Sequence, residues 1–468
     1  MRAGYRDDTL KLYRTYKKAM SDILNVWKKN NLVVNALIFL LVLLITDLLV
    51  LKLRAGLIVL IGLLLLLAAF VKPRVVFLLL ISSFSVDNYG LADVSSVKVL
   101  AIILLAGLSS RLLITRETLP QDNAYKYFML FFIGSIPSFA FAINLSTSLM
   151  MYITYISLFI LYIFSRYFLK TDKDINTALN YLFFSTIAIF AIIQFTSQST
   201  GKIADERISG GIGDPNEFAS FIMVLIPLAF YRVINSSGTS RLLYLGCLVS
   251  FLLMLGYSGS RGGILGFLGA AGVLIFYYGV SRVKQIVLFM LVVVAILQFS
   301  VPDDFWFRVS TIIHPAEERQ IHGTAISYRE HAYAAAAKMF LDNPIAGVGL
   351  YNFQFNSRKY GISRALLVHN TYLEILTGGG LLSFIPFALI LVNIWRKLKL
   401  LRKYDNATRD LFICLKASFV SILITSFFFS GDHKKILLFL LALISSSYYI
   451  SMNKTSSRTR NIFPGSTT

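Results

Sequence analysis

The chain is 468 residues long, and 56% of its residues are hydrophobic while only 15% carry a charge. This composition excludes an ordinary soluble globular protein, because a water-facing surface built from it would expose large apolar patches. The formal net charge of +21 does not indicate a nucleic-acid-binding protein, since no nucleic-acid motif accompanies it and basic residues concentrate in the cytoplasmic loops of membrane proteins.

The first 30 residues form a polar, basic segment that precedes the apolar part of the chain. Lysine and arginine are frequent here, and a row of leucine, tyrosine and methionine residues falls on one side of a helix drawn over the segment. The segment is too polar for a cleavable signal peptide. The sequence therefore predicts a cytoplasmic amphipathic segment over residues 1–30.

Apolar segments then follow one another from about residue 31 to about residue 451, and one long polar stretch, 301–368, interrupts them. Hydropathy gives about fourteen candidate spans, of which 75–90 is the weakest because its strongly apolar part is only about a dozen residues long. The candidates are 33–51, 55–71, 75–90, 96–114, 126–145, 147–165, 177–197, 215–234, 242–258, 261–280, 285–300, 370–393, 411–430 and 435–451. The predicted fold is an all-α, polytopic membrane helix bundle of about 12–14 spans, with one long outward loop that contains helices.

The distribution of basic residues predicts which loops face the cytoplasm. With the N-terminus inside and the spans alternating, cytoplasmic segments carry roughly 29 lysine and arginine residues, against roughly 14 in outward segments. The short loops decide the orientation, since long loops weigh little in this rule. We therefore expect membrane helices over 31–300 and 369–451, an outward loop over 301–368 and a cytoplasmic tail over 452–468.

Four polar segments face outward in this topology, and the first is 198–214. Asp214 stands three residues before Glu217, the spacing of a capping box, and Pro215 suits the first position of a helix. A helix is therefore expected to start here with its positive end outward, where its N–H groups and Arg207 would suit a phosphate. The alternative is a plain helix start after a flexible glycine turn.

The second outward segment is a short glycine-rich turn, Gly259–Gly263, with Arg261 at its centre. Small residues let the backbone approach a ligand closely, and an arginine at the membrane surface is well placed for a lipid-linked phosphate. The alternative is an interfacial arginine whose side chain extends toward water. The glycines that follow, up to Gly272, indicate close helix packing.

The third outward segment is the long loop. Its alanine-rich middle, 324–341, predicts an amphipathic helix that contains Arg329 and stops near Pro344. Arg329 could pair with a phosphate or pack on the helix. A glycine turn with aromatic residues, including Tyr351, follows; such side chains could stack on sugars, although packing at the membrane interface is favoured.

The fourth outward segment is His369-Asn370, directly before a span. Thr371 and Glu374 have capping-box spacing, which predicts that His369 lies just before a helix start. A histidine there can abstract a proton from a hydroxyl near neutral pH. The alternative is a structural histidine that is hydrogen-bonded to loop backbone.

The sequence gives no reason to expect a metal centre or a disulfide. The five histidines include no pair at helical spacing and no carboxylate-rich frame. Cys247 and Cys414 each lie inside an apolar span and lack metal-type spacing. All five histidines fall in outward segments, which favours an enzyme that works at one membrane face.

Taken together, the four segments resemble the bacterial O-antigen ligase and O-antigen polymerase family of membrane glycosyltransferases. Each motif is weak alone, but the ordered set is specific, and it covers roughly residues 198–393. The carrying residues are Arg207 with Gly213-Asp214-Pro215-Asn216, Gly259-Ser260-Arg261-Gly262-Gly263, Asn343-Pro344 with Gly347-Val348-Gly349 and Asn352-Phe353, and His369-Asn370.

The resemblance implies a reaction at the periplasmic face of a bacterial inner membrane, with both termini in the cytoplasm and 301–368 as a periplasmic loop. A glycan would move from undecaprenyl pyrophosphate to a hydroxyl of lipid A-core or of another lipid-linked glycan, without a metal or cofactor. Arg207 and Arg261 would bind the pyrophosphate, and His369 would act as the base. Further candidate binding residues are Arg329, Asn370, Asp214 and Tyr351. The family plan has about twelve spans.

Three functions remain open on the sequence. A glycan ligase is favoured over a repeat-unit polymerase because the motif order matches the branch named for ligases, but both would use the same residues. A flippase for lipid-linked saccharides would place ionisable residues near mid-membrane or show an internal repeat. The charges inside the spans, including Asp47, Lys98, Arg111 and Lys416, lie toward the estimated span ends, and no repeat is evident.

Overall fold

A computed structural model describes the chain over residues 53–86, 90–91, 94–199, 209–210, 212–279, 310, 325–362, 367–399, 405–431 and 434–462. The chain forms two compact units, Met1–Val71 and Lys72–Thr468. In the first unit the described residues form helix α1, Leu53–Val71. The predicted amphipathic segment 1–30 and the candidate spans 33–51 and 285–300 lie outside the described residues.

The described residues of the second unit are almost entirely helical, so the all-α prediction is confirmed. The helices are α2 (Pro73–Ser82), α3 (Ser96–Thr115), α4 (Tyr125–Ser135), α5 (Leu145–Phe168), α6 (Asp172–Ser199), α7 (Pro215–Ile234), α8 (Gly238–Ser258), α9 (Arg261–Tyr278), α10 (Ala325–Asp342), α11 (Phe353–Asn356), α12 (Thr371–Lys397), α13 (Asn406–Thr425) and α14 (Lys435–Ile462). Short 3₁₀ helices cover Ser83–Ser85, Ile136–Phe141 and Ser357–Tyr360. Strands β1 (Gly90–Leu91) and β2 (Val94–Ser95) pair antiparallel, with Gly90 opposite Ser95.

Eight helices among the described residues are long and apolar enough to cross a membrane, which confirms a polytopic helical protein. They are Lys98–Thr115, Leu145–Phe168, Asp172–Phe195, Pro215–Ile234, Gly238–Ser258, Arg261–Tyr278, Thr371–Lys397 and Lys435–Lys454. Three shorter apolar helical stretches are Gly62–Val71, Pro73–Ser85 and Tyr125–Phe141. The candidate span 75–90 falls on one of these, and its α-helix α2 has only 10 residues, about half the length that a bilayer core requires.

The candidate span 126–145 is not one continuous α-helix. Helix α4 ends at Ser135, and the chain continues as a 3₁₀ helix over Ile136–Phe141. Pro137 accounts for the change, because it has no N–H to donate to the preceding turn and its ring clashes with that turn's carbonyl.

Helix α7 lies at the centre of the bundle, where α8, α9 and α13 pack around it. Helix α9 lies close to α13 because its glycines leave no side chain between the two backbones. A Cβ on Gly266 would lie 2.7 Å from Thr425 Cγ2, and one on Gly269 would clash with Ile424. The packing interpretation is confirmed for these two glycines, whereas among the described residues no heavy atom lies within 4 Å of the Cβ position of Gly272.

Helix α12 is broken at Gly380, where φ is 59° and ψ is −162°. Two carbonyls before the break accept N–H groups from the loop that follows α10, and two N–H groups after the break donate to carbonyls of the same loop. The pairs are Val348–Thr377, Gly349–Gly378, Leu381–Pro344 and Leu382–Ile345, with N···O distances of 2.9 to 3.1 Å. The loop therefore satisfies the backbone groups that the break releases, as a membrane interior requires.

The far end of α12 is held by a buried charge cluster. Asp122 Oδ1 lies 2.5 Å from Lys397 Nζ, and its Oδ2 lies 3.2 Å from Arg166 Nε and 2.7 Å from the Tyr162 hydroxyl. Hydroxyl groups of Ser445 and Ser446 accept from the two cations. The cluster thereby joins the ends of α5 and α12 to α14, opposite the end at which α12 begins.

Candidate active site

Helix α7 begins at one end of the bundle, as its sequence predicts. Asp214 is the N-cap, and its Oδ1 accepts the N–H groups of Asn216 (2.7 Å) and Glu217 (3.1 Å). Pro215 occupies the first helical position, where a missing N–H costs nothing. The helix start predicted at Asp214 is confirmed.

The glycine-rich turn lies beside this helix start. Gly259 takes the left-handed conformation between α8 and α9 (φ 56°), and Ser260 caps α9 by accepting the Gly263 N–H. The Ser260 hydroxyl also donates to Asn216 Oδ1 at 3.0 Å, so the first two outward segments are joined directly. Arg261 follows as the first residue of α9 and is half-buried.

The third helix start lies at His369-Asn370, one residue earlier than the predicted capping box. Asn370 is the N-cap, because its Oδ1 accepts the N–H groups of Tyr372 and Leu373 at 3.0 and 3.1 Å. The Thr371/Glu374 prediction is wrong: the Thr371 hydroxyl instead bonds the backbone of residues 429 and 431, at 2.9 and 2.7 Å. Asparagine is at least as good an N-cap as threonine, and the tertiary contact fixes which of the two serves.

His369 itself adopts the left-handed backbone conformation, with φ at 54°. This region is costly for a residue with a side chain and persists only where the surroundings enforce it. The Thr371 N–H donates to the Ser426 carbonyl at 2.9 Å, and the Tyr333 hydroxyl donates to the Phe427 carbonyl at 2.7 Å. The Tyr333 hydroxyl also lies 3.4 Å from the His369 carbonyl oxygen, so the turn after α13 and helix α10 hold the backbone at the histidine and just after it.

The electrostatic environment of the imidazole combines two charged neighbours. Burial lowers the pKa of His369 below its ordinary 6.5, the Arg329 guanidinium lowers it further, and the Asp214 carboxylate acts in the opposite direction. Three residues that are far apart in the sequence thus influence one another at this end of the bundle. Because the net shift is downward, His369 is largely neutral at neutral pH and can accept a proton.

Helix α10, predicted over 324–341, is confirmed as Ala325–Asp342. Its small residues pack against the loop that follows it and against Val368, the neighbour of His369. Arg329 is half-buried, and Tyr333 stands one helical turn after it. The alanine face thus allows α10 to lie close to the histidine turn.

The glycine turn that follows α10 is wedged between α5 and the α12 break. Asn352 is fully buried, and it both accepts the Asn144 N–H at 2.8 Å and donates to the Ser148 hydroxyl at 2.8 Å. Phe353 is also fully buried, in the apolar cluster that includes the alanines of α10. Tyr351 is half-buried in the left-handed conformation (φ 57°).

Several predicted residues lie outside the described part of the chain, above all Arg207. The others are His314, His322, His433, Phe305 and Trp306. His331 is described and exposed on α10. Among the described residues, no group of three or more His, Cys, Asp or Glu side chains could hold a metal ion.

The sequence analysis missed one segment of the site, the turn between α13 and α14. This turn bonds Thr371, packs Phe428 against Gly262, and carries Lys434, whose Nζ lies 2.7 Å from Glu217 Oε2. The available signal was the same as for the other segments, since a short polar stretch separates two apolar helices here. The lysines of this turn entered the charge count, but no role was assigned to them.

The arrangement can carry out acid–base chemistry on an anionic substrate. His369 and the Arg329 guanidinium, which influences its pKa, lie at the same end of the bundle as the positive ends of α7, α9 and α12, and Arg261 is the first residue of α9. Helix N-termini and guanidinium groups stabilise phosphate charge, and a neutral histidine accepts a proton from a hydroxyl.

Residues 246–388 match the model of a protein family that is described as O-antigen ligase. Arg261, Arg329 and His369 lie inside the matched range, whereas Arg207 and Asp214 precede it. A comparison with curated proteins finds no match to the chain. The resemblance seen in the sequence motifs is confirmed for residues 246–388, which match the O-antigen ligase family model.

Proposed function

We propose that this protein is an O-antigen ligase, which transfers a glycan from undecaprenyl pyrophosphate to a hydroxyl of lipid A-core. The observation that carries the proposal is the meeting of His369, Arg261 and Arg329 at one end of a membrane bundle, inside the range that matches the family. The reaction would occur at the periplasmic face of the bacterial inner membrane.

His369 is the proposed general base. The acceptor oxygen forms a bond to the anomeric carbon, the bond from that carbon to the pyrophosphate oxygen breaks, and undecaprenyl pyrophosphate leaves with the electron pair. The acceptor proton passes to the imidazole, which is free to take it because its pKa lies below the ordinary value. A positioned base of this kind contributes typically about 10²–10⁴-fold. A single displacement would invert the anomeric centre.

Arg261 is proposed to bind the pyrophosphate and stabilise the charge that develops as it leaves, together with Arg207. Arg329 is a further candidate for the phosphate groups, because it lies close enough to His369 to lower the pKa of the imidazole. Asp214 and Asn370 would shape the binding surface by fixing two helix starts, and Tyr351 would border it. These roles need neither a metal nor a cofactor.

The proposed orientation places both termini in the cytoplasm and the long loop, 301–368, in the periplasm. Contacts between segments support this alternation, because segments expected on one side bond one another. Arg74 and Asp174, both expected inside, form an ion pair at 2.6 Å. On the expected outward side, Asn144 bonds Asn352 and Glu217 bonds Lys434.

Reconstitution of the purified full chain tests the proposal. The protein is incubated with undecaprenyl-pyrophosphate glycan, with and without lipid A-core, in the presence of a chelator, and the products are resolved by gel. We expect glycan on the core only, and loss of transfer in Arg261→Ala and His369→Ala proteins that still insert normally. A ladder of longer lipid-linked glycans without core would establish a polymerase instead. Movement of the lipid-linked glycan across liposomes without glycan joining would establish a flippase.

A further inference from the structure

A small pocket, partly open to solvent, lies beside the candidate site and is used by none of the roles proposed above. Its walls come from the segment before α7, from α7, α13 and α14, and from the turn between α13 and α14. Apolar side chains form most of the lining, and the polar groups are Glu217, Ser220, Lys434 and Lys435. Cavities of this composition bind ligands that are largely apolar and carry a few polar groups.

One ion pair lies on the wall of this cavity. Lys434 Nζ and Glu217 Oε2 are 2.7 Å apart, and each side chain is about one-fifth exposed, 20% and 21%. Solvent therefore reaches both groups, and the pair can be opened without burying an unpaired charge. An ammonium group at the mouth of an apolar cavity suits the phosphate of an amphiphilic molecule.

The cavity shares its framework with the candidate site. Glu217 lies in the first turn of α7, and its N–H donates to Asp214. Ser220, one turn later, bonds the Thr425 hydroxyl at 2.8 Å. Gly431, also in the lining, donates its N–H to Thr371, two residues after His369. A ligand held in the cavity is thereby positioned by the same helix starts as the histidine.

We propose that Lys434 binds a phosphate of the lipid-linked donor, and that Glu217 holds this ammonium group until the donor arrives. The inference rests on the proposed function and adds a cation to it from the turn that follows α13. Phosphate and carboxylate compete for one ammonium group, and a pyrophosphate carries more charge than a carboxylate. The pocket lining beside Lys434 is mostly apolar, which suits the lipid side of the phosphate better than a sugar, because a sugar needs many hydrogen-bonding partners.

The alternative is a purely structural ion pair that ties α7 to α14. The two interpretations differ in how the two halves of the pair respond to substitution. If the pair is structural, Lys434→Gln and Glu217→Gln break the same bond and have the same effect. If Lys434 is a ligand and Glu217 its competitor, the two substitutions change donor affinity in opposite directions.

The test is a titration of the purified full chain in detergent with undecaprenyl pyrophosphate, followed by thermophoresis. Lys434→Gln is expected to raise the Kd about tenfold, and Glu217→Gln to lower it about threefold. In the transfer assay Lys434→Gln should raise KM for the donor more than it lowers kcat. Lys454→Gln, which breaks the pair with Asp172 at the opposite end of the bundle, is the matched control and should leave the Kd unchanged.

Equal weakening by both substitutions, or unchanged binding by Lys434→Gln, would overturn the inference. Its failure is distinguishable from failure of the proposed function, because lipid binding is measured without glycan transfer. If the wild type transfers glycan and Lys434→Gln binds the lipid normally, only the proposed role of Lys434 is excluded. If the wild type binds the lipid through Lys434 but joins no glycans, only the proposed transfer reaction is excluded.

Discussion

At the scale of single residues, His369 combines a left-handed backbone with a lowered imidazole pKa. A non-glycine residue in that region costs roughly 1–3 kcal/mol and is tolerated only where neighbouring contacts enforce it. Such strain is concentrated at functional sites, and here the enforcing contacts come from the other segments of the site. His369→Asn is therefore a sharper variant than His369→Ala, because asparagine tolerates this conformation while it removes the base.

The lowered pKa of His369 predicts the pH dependence of transfer. The imidazole must be neutral to accept a proton, so kcat/KM should rise with pH through the folded-state pKa, which lies below 6.5. Arg329→Gln removes a cation that lowers this pKa, and the rising limb should move to higher pH. If the pH dependence of kcat/KM is unchanged in Arg329→Gln, Arg329 does not act on the pKa of His369.

The same pKa shift fixes the sign of its effect on stability. Because the folded-state pKa of His369 lies below its unfolded-state value, the unfolded chain binds the proton more tightly. The contribution of the neutral imidazole is present above the unfolded-state pKa and is lost as pH falls through that value toward the folded-state one. The apparent Tm of the wild type should therefore fall with acidification more than that of His369→Asn.

At the scale of elements, the break in α12 determines how the long loop meets the bundle. Gly380→Ala should destabilise the protein by at least about 2 kcal/mol, because its φ of 59° is unfavourable for alanine and the Cβ would clash with the Ile345 carbonyl. The measurements are the apparent Tm in detergent and the rate of tryptic cleavage after Arg358 and Lys359, which should rise as the loop loosens.

Gly272→Ala is the matched control for this substitution. It lies inside α9, and no described heavy atom is within 4 Å of its Cβ position, so replacement should be neutral or stabilising by up to about 1 kcal/mol. Equal Tm values for Gly380→Ala and the wild type would show that the break is not needed for the fold.

Elements with a local start signal could be predicted from the sequence, and those that depend on distant partners could not. Asp214-Pro215 and the alanine-rich stretch before Pro344 gave α7 and α10 almost to the residue. Three consecutive glycines, 378–380, lie at the break in α12. However, the loop that fills the break lies some 30 residues earlier, and no local pattern pairs the two.

The N-cap of α12 also depends on a distant partner that the local sequence does not reveal. Asn370 and Thr371 are both good N-cap residues, and their order in the sequence does not decide between them. The decision comes from the turn after α13, which engages the Thr371 hydroxyl and leaves Asn370 to cap the helix. That turn was also the part of the site that sequence reasoning missed, for the same reason.

At the scale of the whole molecule, segments that are far apart in the chain meet at two opposite ends of the bundle. Segments expected to face outward meet at the candidate site, and segments expected to face inward meet around Asp122 and Asp174. Alternation of spans gives the side of the membrane but not the partners on that side. The Asp122 cluster could not be predicted, because one charge from a loop and two from the ends of distant helices carry no shared motif.

The buried cluster around Asp122 makes a testable claim about what holds the bundle together. The side chains of Asp122, Arg166 and Lys397 are 0%, 4% and 6% exposed, so removing the carboxylate leaves two cations in a low-dielectric interior. Asp122→Asn should therefore destabilise the protein by about 3–5 kcal/mol. Asp172→Asn, which breaks an exposed pair with Lys454, should cost at most about 1 kcal/mol.

The expected loss of stability comes from the two buried cations that are left without a carboxylate, and not from the loss of attraction itself. Replacing Arg166 and Lys397 by methionine in the Asp122→Asn background should then recover much of the apparent Tm, since apolar side chains of similar length fill the space without charge. The pH limb of transfer should stay unchanged in all these variants, because the cluster lies at the opposite end of α12 from His369. If the triple variant is as unstable as Asp122→Asn, the ion pairs themselves stabilise the protein. If the pH dependence of kcat/KM shifts, α12 transmits a change from one of its ends to the other.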